Sequence, residues 1–124
     1  MKTIIAGGRD YKFTPSDIQT LNKLLITQHI TEVVSGAARG ADTCGEEWAA
    51  KHGLPVKQFP ANWDKYGKSA GFKRNKQMAE YADAAVLFPG GAGTDSMFEL
   101  ARKHGLRIFD YRHEHLEDDM TDFL

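Results

Sequence analysis

The sequence predicts one α/β domain: a doubly wound parallel sheet of about five strands, in the order 3-2-1-4-5, with helices on both faces. Three observations carry this prediction. Short apolar runs alternate with helical patterns, glycine-rich loops follow three of these runs, and no linker or repeat divides the 124 residues. Regular alternation of this kind favours a parallel sheet with right-handed crossovers. In this order the second and third strands are added on one side of the first strand, and the fourth and fifth strands are added on its other side. The direction in which the sheet grows therefore reverses between the first and fourth strands.

The first strand is predicted at about Lys2 to Ala6, and the first helix begins after Thr14. Thr14 is a suitable helix cap, Pro15 fits the first turn, and Asp17 follows three residues after the cap. The apolar face of this helix consists of residues at helical spacing, namely Ile18, Leu21, Leu24 and Leu25. The second strand is about Glu32 to Ser35.

The second helix is expected from near Ala41 to His52, with Trp48 and Ala49 on its buried face. His52 and His104 each precede a glycine at an expected helix end, where a protonated imidazole suits the helix dipole. The remaining predicted elements are a strand at Val56 to Phe59, a loop from Pro60 to Gly67, a helix at about Ala70 to Tyr81, a strand at Ala84 to Phe88, a helix at Asp95 to His104 and a strand at Arg107 to Asp110.

Composition narrows the class of protein. Hydrophobic residues make up 41% and charged residues 27%, and the formal net charge of -1 argues against nucleic-acid binding through bulk electrostatics. The one cysteine, Cys44, is expected to be a small buried residue. No apolar N-terminal stretch resembles a signal peptide or a membrane span, so we expect a cytoplasmic protein. No zinc pattern or Walker lysine motif occurs, and we expect neither a metal nor a cofactor.

Three loops after apolar runs have the composition of phosphate-binding turns. Glycine lets the backbone approach an anion, a following helix directs its positive dipole end to the same place, and arginine supplies a rigid fork of donors. Tight strand-to-helix connections are the alternative interpretation. The candidate ligand-binding residues in these loops are Gly7, Gly8, Arg9 and Asp10 in the first, Ser35, Gly36, Arg39 and Asp42 in the second, and Pro89, Gly90, Gly91, Gly93 and Thr94 in the third.

A basic stretch before and along the third helix is the fourth candidate region. Its cations are Lys65, Lys68, Lys73, Arg74 and Lys76, interleaved with Trp63, Tyr66 and Phe72. A solvated helix face is the alternative interpretation. Trp63 is a candidate for stacking on a base, although core packing is equally compatible with its sequence position. Arg74 and Asn75 are the remaining candidates for ligand binding.

These motifs in their order resemble the SLOG superfamily, and within it the small YspA-like branch. The resemblance spans roughly residues 3 to 108 and rests on Gly7-Gly8-Arg9-Asp10, Ser35 to Asp42, Pro60-Ala61-Asn62-Trp63, Ala70 to Met78, and Pro89 to Thr94. It implies a Rossmann-like nucleotide-binding domain over residues 1–112. The remaining residues, 113–124, form an acidic tail whose charge predicts a solvated segment rather than a site. Members of the branch are regarded as sensors or processors of nucleotide-derived ligands, often associated with phages and nucleotide-based defence.

The resemblance leaves three functions open. The first is binding of a nucleoside phosphate or an ADP-ribose-like ligand, with phosphate held by arginines and glycine-loop N–H groups and ribose by Asp10 or Asp42. The second is hydrolysis of a nucleotide N-glycosidic bond, as in the Lonely-Guy relatives. Their catalytic arginine maps onto Arg74, but their glutamate maps onto Met97, which leaves Asp95 as the substitute carboxylate. The third is a DNA-contacting module like the SMF/DprA relatives. Relatives often dimerise, so a homo-oligomer is also implied.

Overall fold

Five parallel strands form one sheet in the order β3-β2-β1-β4-β5, as the sequence predicts. The structure is a computed structural model that describes residues 1–113. Its elements are β1 (Lys2–Ala6), α1 (Pro15–Thr27), β2 (Glu32–Ser35), α2 (Ala41–Lys51), β3 (Val56–Gln58), α3 (Trp63–Tyr66), α4 (Ala70–Tyr81), β4 (Ala84–Leu87), α5 (Ala92–Lys103) and β5 (Arg107–Asp110). The predicted tail at 113–124 lies outside the described residues apart from His113.

The central strand β1 fixes the register of the sheet. Thr3 lies opposite Val33 of β2 on one side and opposite Ala84 of β4 on the other. All four residues of β4 are buried, as expected for a strand covered on both faces.

Alternate residues of the strands supply two hydrophobic cores, one on each face of the sheet. Ile5 and Val33 pack with Leu21 of α1 and Trp48 of α2. On the opposite face, Ile4 and Val34 pack with residues of α4 and α5, including Met78, Met97 and Ala101. The helices therefore cover both faces and leave the carboxyl edge of the sheet open to a ligand.

The start of α1 confirms the capping prediction. The Thr14 hydroxyl accepts a hydrogen bond from the Asp17 N–H at 3.1 Å, and the Asp17 carboxylate accepts from the Thr14 N–H at 2.9 Å. This reciprocal pair satisfies two N–H groups that a helix start would otherwise leave free. His52 and His104 are the C-cap residues of α2 and α5, one position beyond the last helical residue.

Two predicted boundaries were wrong. The predicted loop from Pro60 to Gly67 contains the short helix α3, because the Asn62 side chain accepts from the Lys65 N–H at 3.1 Å and so caps a helical turn. Helix α5 begins at Ala92 rather than at Asp95, because helical geometry starts directly after Gly91. Cys44 is half-buried rather than fully buried. No helix among the described residues is long and apolar enough to cross a membrane.

Candidate functional site

A cavity of about 330 Å³ lies at the carboxyl edge of the sheet, where the chain reverses between β1 and β4. Open α/β sheets bind ligands at this position. The β1–α1 and β4–α5 loops meet there, and the Gly8 N–H donates to the Pro89 carbonyl at 2.9 Å. The lining residues come from the end of β1, the three glycine-rich loops and the helices α2, α4 and α5: Ala6, Gly7, Gly8, Arg9, Gly36, Ala38, Asp42, Arg74, Asn75, Met78, Gly91, Gly93, Thr94 and Met97.

Gly40 joins the second loop to the first. Its φ of 78° lies in the left-handed region, and a Cβ atom at this position would overlap the carbonyl oxygens of Gly8 and Arg9. Only glycine avoids both the strain and the clash. The adjacent Ala41 N–H donates to the Gly8 carbonyl at 3.1 Å. The close approach of the two loops therefore depends on Gly40, which sequence reasoning placed in the motif but not among the site residues.

The start of α5 offers backbone N–H groups as hydrogen-bond donors beside the cavity. Gly91 is the N-cap residue, and no side chain caps the helix. The first intrahelical bonds run from Thr94 and Asp95 to the Gly91 carbonyl, so the N–H groups of Ala92 and Gly93 have no acceptor among the described residues. These free N–H groups and the helix dipole suit an anion.

Arg74 of α4 connects the second and third loops through Asn75. Its Nη1 donates to the Gly36 carbonyl at 2.6 Å, and its Nε donates to Asn75 Oδ1 at 2.9 Å. The Asn75 Nδ2 in turn donates to the Gly93 carbonyl at 3.3 Å. The Nη2 group donates to no described acceptor, which leaves one edge of the guanidinium available to a ligand. Burial lowers the pKa of Arg74, and the neighbouring Asp42 carboxylate opposes that shift.

Asp42 is the one carboxylate among the residues that line this cavity. It lies in the first turn of α2, is only 8% exposed, and accepts from the Ala38 N–H at 3.2 Å through Oδ2. Burial raises the pKa of Asp42 to about 6, and Glu46 contributes in the same direction. The Ala38 N–H and the cations Arg74 and Arg9 act against this shift but do not cancel it.

A hydrogen-bond network of Ser35, Glu46 and Gln58 supports the β2–α2 loop. The Ser35 hydroxyl donates to Glu46 Oε2 at 2.6 Å, and Gln58 Nε2 donates to the same oxygen at 3.1 Å. The Ala37 N–H donates to Ser35 Oγ at 3.1 Å while Ala37 itself adopts a φ of 59°. A non-glycine residue in this region is strained and must be held there by its surroundings. Ser35 thus supports the loop and does not line the cavity.

The structure brings ten of the predicted ligand-binding residues to the cavity wall: Gly7, Gly8, Arg9, Gly36, Asp42, Arg74, Asn75, Gly91, Gly93 and Thr94. Pro89 and Gly90 lie in the third loop behind this wall. Asp10 and Arg39 form an ion pair of 3.4 Å on the surface, with side chains 91% and 74% exposed. Trp63 is 49% exposed and lies beside Arg9, whose guanidinium carbon is 5.7 Å from the ring centroid.

Asp95, the predicted substitute carboxylate, does not line the cavity. Its Oδ1 accepts from Arg112 Nη1 at 2.8 Å, and Arg112 also donates to Asp110 and covers the Phe98 ring. Sequence reasoning missed Arg112 because nothing in its local pattern links it to α5. It also did not name Ala6, Ala38, Met78 and Met97 as ligand-binding residues. Ala6 carries a signal, because it is a small residue at the end of a strand, whereas Met78 and Met97 have the pattern of core residues. Within residues 1–113, no group of His, Cys, Asp or Glu side chains is arranged to hold a metal ion.

A family model described as "YspA, cpYpsA-related SLOG family" matches residues 1–66, which is more than half of the chain. The Gene 61 protein of Mycobacterium phage D29 is 36% identical over 119 residues, covering 89% of this chain and 95% of that protein. The chain belongs to this SLOG family. The resemblance to the SLOG superfamily and its YspA-like branch is thus confirmed.

Two solved structures share the fold of this SLOG domain. DNA processing protein A (DprA) from Streptococcus pneumoniae superposes with a TM-score of 0.67 at 17% identity, over 88% of this chain. The chain spans only 49% of that DprA chain. The structural-genomics target TM1055 superposes with a TM-score of 0.58 at 15% identity, over 87% of this chain and 72% of that chain. At these identities the likeness shows the fold alone.

Proposed function

We propose that this SLOG domain binds a nucleotide or nucleotide-derived molecule, such as a nucleoside phosphate or an ADP-ribose-like ligand, with its phosphate in the cavity at the β1–β4 reversal. One observation carries the proposal. The uncapped start of α5 and the free edge of Arg74 both border the same cavity. Fixed N–H donors and a guanidinium are the groups that proteins use to hold phosphate.

The surroundings of the α5 start support an anion rather than a neutral ligand. A Cβ atom on Gly91 or Gly93 would meet no protein atom within 4 Å, so the backbone at both positions is accessible from the cavity. Arg9 adds a second cation to the residues that line the cavity. Asp95 would oppose an anion, but its carboxylate is paired with Arg112 outside the cavity.

Titration calorimetry tests this proposal. The panel consists of nucleoside mono- and diphosphates, cyclic nucleotides, ADP-ribose and inorganic phosphate, and we expect at least one nucleotide to bind in competition with phosphate. Native mass spectrometry before and after mild denaturation would reveal a copurified nucleotide. Absence of heat for every compound at millimolar concentration would refute the proposal.

We expect binding without cleavage of the N-glycosidic bond. Cleavage needs a carboxylate at the developing ribose cation, and the position used by the enzymatic relatives holds Met97, which is buried in the cavity wall. Chromatography of nucleoside monophosphates incubated for hours should detect no free base. Release by the native protein that disappears in Asp95→Asn or Asp42→Asn would instead make this protein a hydrolase.

A further inference from the structure

Asp42 is out of place in a cavity that binds only phosphate. Its carboxylate borders the same cavity as the donors of α5 and Arg74, where it would repel an anion that filled the whole space. A negatively charged group in such a wall needs a donor from the ligand. Among the parts of a nucleotide, the ribose hydroxyls supply donors next to the phosphate.

The geometry leaves one Asp42 oxygen free for that purpose. Oδ2 accepts from the Ala38 N–H, whereas no described residue donates to Oδ1. No buried side-chain oxygen among the described residues lacks a partner, so the unbonded Oδ1 must reach open space. The cavity is the open space that Asp42 lines.

The surrounding contacts hold the carboxylate in this position. A Cβ atom on Gly36 would lie 2.8 Å from Asp42 Oδ2 and 2.7 Å from Arg74 Nη1, so the absence of a side chain at Gly36 allows both groups to approach the loop. The Ala38 N–H fixes Oδ2 at the start of α2. Asp10, the other aspartate considered for ribose, is paired with Arg39 at the surface and lies outside the cavity wall.

Other polar groups of the cavity wall are less suited to a hydroxyl donor. The Asn75 amide uses its oxygen for Arg74 and its nitrogen for the Gly93 carbonyl. Met78 and Met97 present apolar side chains. Arg9 and Arg74 are donors and cannot accept. Asp42 is therefore the ionisable acceptor available to a sugar hydroxyl.

We propose that Asp42 Oδ1 accepts a hydrogen bond from a ribose hydroxyl, so that the site selects ribonucleotides over their 2′- or 3′-deoxy counterparts. This proposal rests on the proposed function, because it assumes that the phosphate is held by α5 and Arg74. A hydrogen bond to a charged acceptor changes affinity by about tenfold to hundredfold. The same carboxylate must weaken the binding of any anion that brings no hydroxyl donor.

The test compares adenosine, guanosine and cytidine monophosphates with their 2′-deoxy and 3′-deoxy forms and with inorganic phosphate, at pH 7.5 by titration calorimetry. For the native protein we expect one of the two deoxy series to bind about tenfold to hundredfold more weakly than the ribose series. Asp42→Ala should reduce that ratio to about one. It should also bind inorganic phosphate at least as tightly as the native protein does.

Tighter or equal phosphate binding by Asp42→Ala separates this role from a structural one, since damage to the loop would weaken every ligand together. Asp42→Asn, which keeps the size of the side chain, should also lose most of the discrimination. The matched control is Asp10→Ala, which removes an aspartate outside the cavity and should alter neither the ratio nor phosphate affinity.

Each failure has a distinct meaning. If ribo- and deoxyribonucleotides bind the native protein equally, the role of Asp42 is refuted while phosphate binding stands. If Asp42→Ala still binds ribonucleotides more tightly than deoxyribonucleotides, another group recognises the sugar hydroxyl and the proposal is again refuted. If none of these probes binds, the role of Asp42 is refuted, and the proposed function is refuted as well when the wider panel of diphosphates, cyclic nucleotides and ADP-ribose also gives no heat.

Discussion

Individual glycines of the three loops differ in what a side chain would meet. At Gly40 it would clash with backbone carbonyls and require a left-handed φ, whereas at Gly91 it would enter open space at a φ of -107°. Gly40 is thus required by the fold, and Gly91 is free to vary as far as the fold is concerned. Gly40 is therefore needed for the loops to approach each other, whereas Gly91 leaves open space beside the start of α5.

We predict that Gly91→Val lowers nucleotide affinity more than it lowers stability. The added side chain would occupy the cavity beside the free N–H groups of α5, while the fold loses about 1 kcal/mol at a helix cap. Thermal unfolding and calorimetry on the same preparation measure both effects. Gly40→Val is the control and should unfold the protein. Equal losses of stability and affinity in Gly91→Val would contradict the prediction.

We predict that Arg74→Ala weakens nucleotide binding by about tenfold to hundredfold, because it removes one charge-assisted hydrogen bond to the ligand. The double substitution Lys68→Ala and Lys76→Ala should have a smaller effect, since both lysines are exposed and Lys76 lies 4.0 Å from Glu80. Calorimetry at two salt concentrations provides the comparison. The reverse ranking, with a steep salt dependence, would favour a nucleic-acid surface.

At the level of residues, the sequence predicts which loops form the site better than it predicts which polar side chains enter it. Asp10 and Asp42 are equivalent from their motifs, yet Asp42 lies on the first turn of a helix that faces the cavity and Asp10 lies on the surface. Asp95 is turned away by Arg112, seventeen residues further along the chain. Such long-range pairings leave no local pattern, so sequence reasoning cannot separate these carboxylates.

At the level of elements, the loops before α2 and α5 are built differently. Among the described residues, the loop before α5 has none at positive φ, whereas the loop before α2 holds both Gly40 and the non-glycine residue Ala37 at positive φ. Ser35, Glu46 and Gln58 support Ala37 through hydrogen bonds. The strands and long helices were predictable because their apolar periodicity spans the whole element. The helix α3 was not, because four residues are too few for a period and its start depends on the Asn62 cap.

We predict that Ala37→Gly stabilises the protein by up to about 1 kcal/mol. Glycine removes the strain at positive φ, which amounts to about 1–2 kcal/mol. Its greater conformational freedom in the unfolded chain lowers the stability by about 0.5–1 kcal/mol, so part of the gain is lost. Ala38→Gly is the matched control at the next residue, which has no positive φ, and should destabilise by about 0.5–1 kcal/mol. Urea unfolding measures both variants. A destabilised Ala37→Gly would show that the loop carries no strain.

At the level of the whole molecule, the site lies where the topology leaves the sheet edge uncovered. The order β3-β2-β1-β4-β5 is compatible with right-handed crossovers, and it was predictable because the rules on connections leave few topologies for a chain of alternating strands and helices. The two cores stabilise the sheet from both faces, and the cavity lies beyond the end of that packing. The carboxylate of Asp42 is buried at this edge, and burial raises its pKa because it disfavours the charged form.

The pH dependence of unfolding follows from Asp42. Folded Asp42 keeps its proton up to about pH 6, whereas in the unfolded chain it loses the proton near the ordinary value of 3.8. Between these values the folded state binds more protons than the unfolded state does, so the contribution of Asp42 to stability falls as the pH rises. This contribution is most favourable below pH 3.8 and is lost above about pH 6. A change of about two pKa units corresponds to up to about 3 kcal/mol.

We therefore predict that Asp42→Asn is more stable than the native protein by up to about 3 kcal/mol at pH 7.5, with little difference near pH 4. Asparagine imitates the protonated carboxyl group and can still accept from the Ala38 N–H, but it carries no buried charge. Urea unfolding without ligand at pH 4.0, 6.0 and 7.5 measures the difference, and Asp10→Asn, at an exposed position, should follow the native protein throughout. A less stable Asp42→Asn at pH 7.5 would mean that the attraction between Asp42 and Arg74 outweighs the cost of burial. A more stable variant that has lost its preference for ribonucleotides would instead identify Asp42 as a residue kept for binding at a cost in stability.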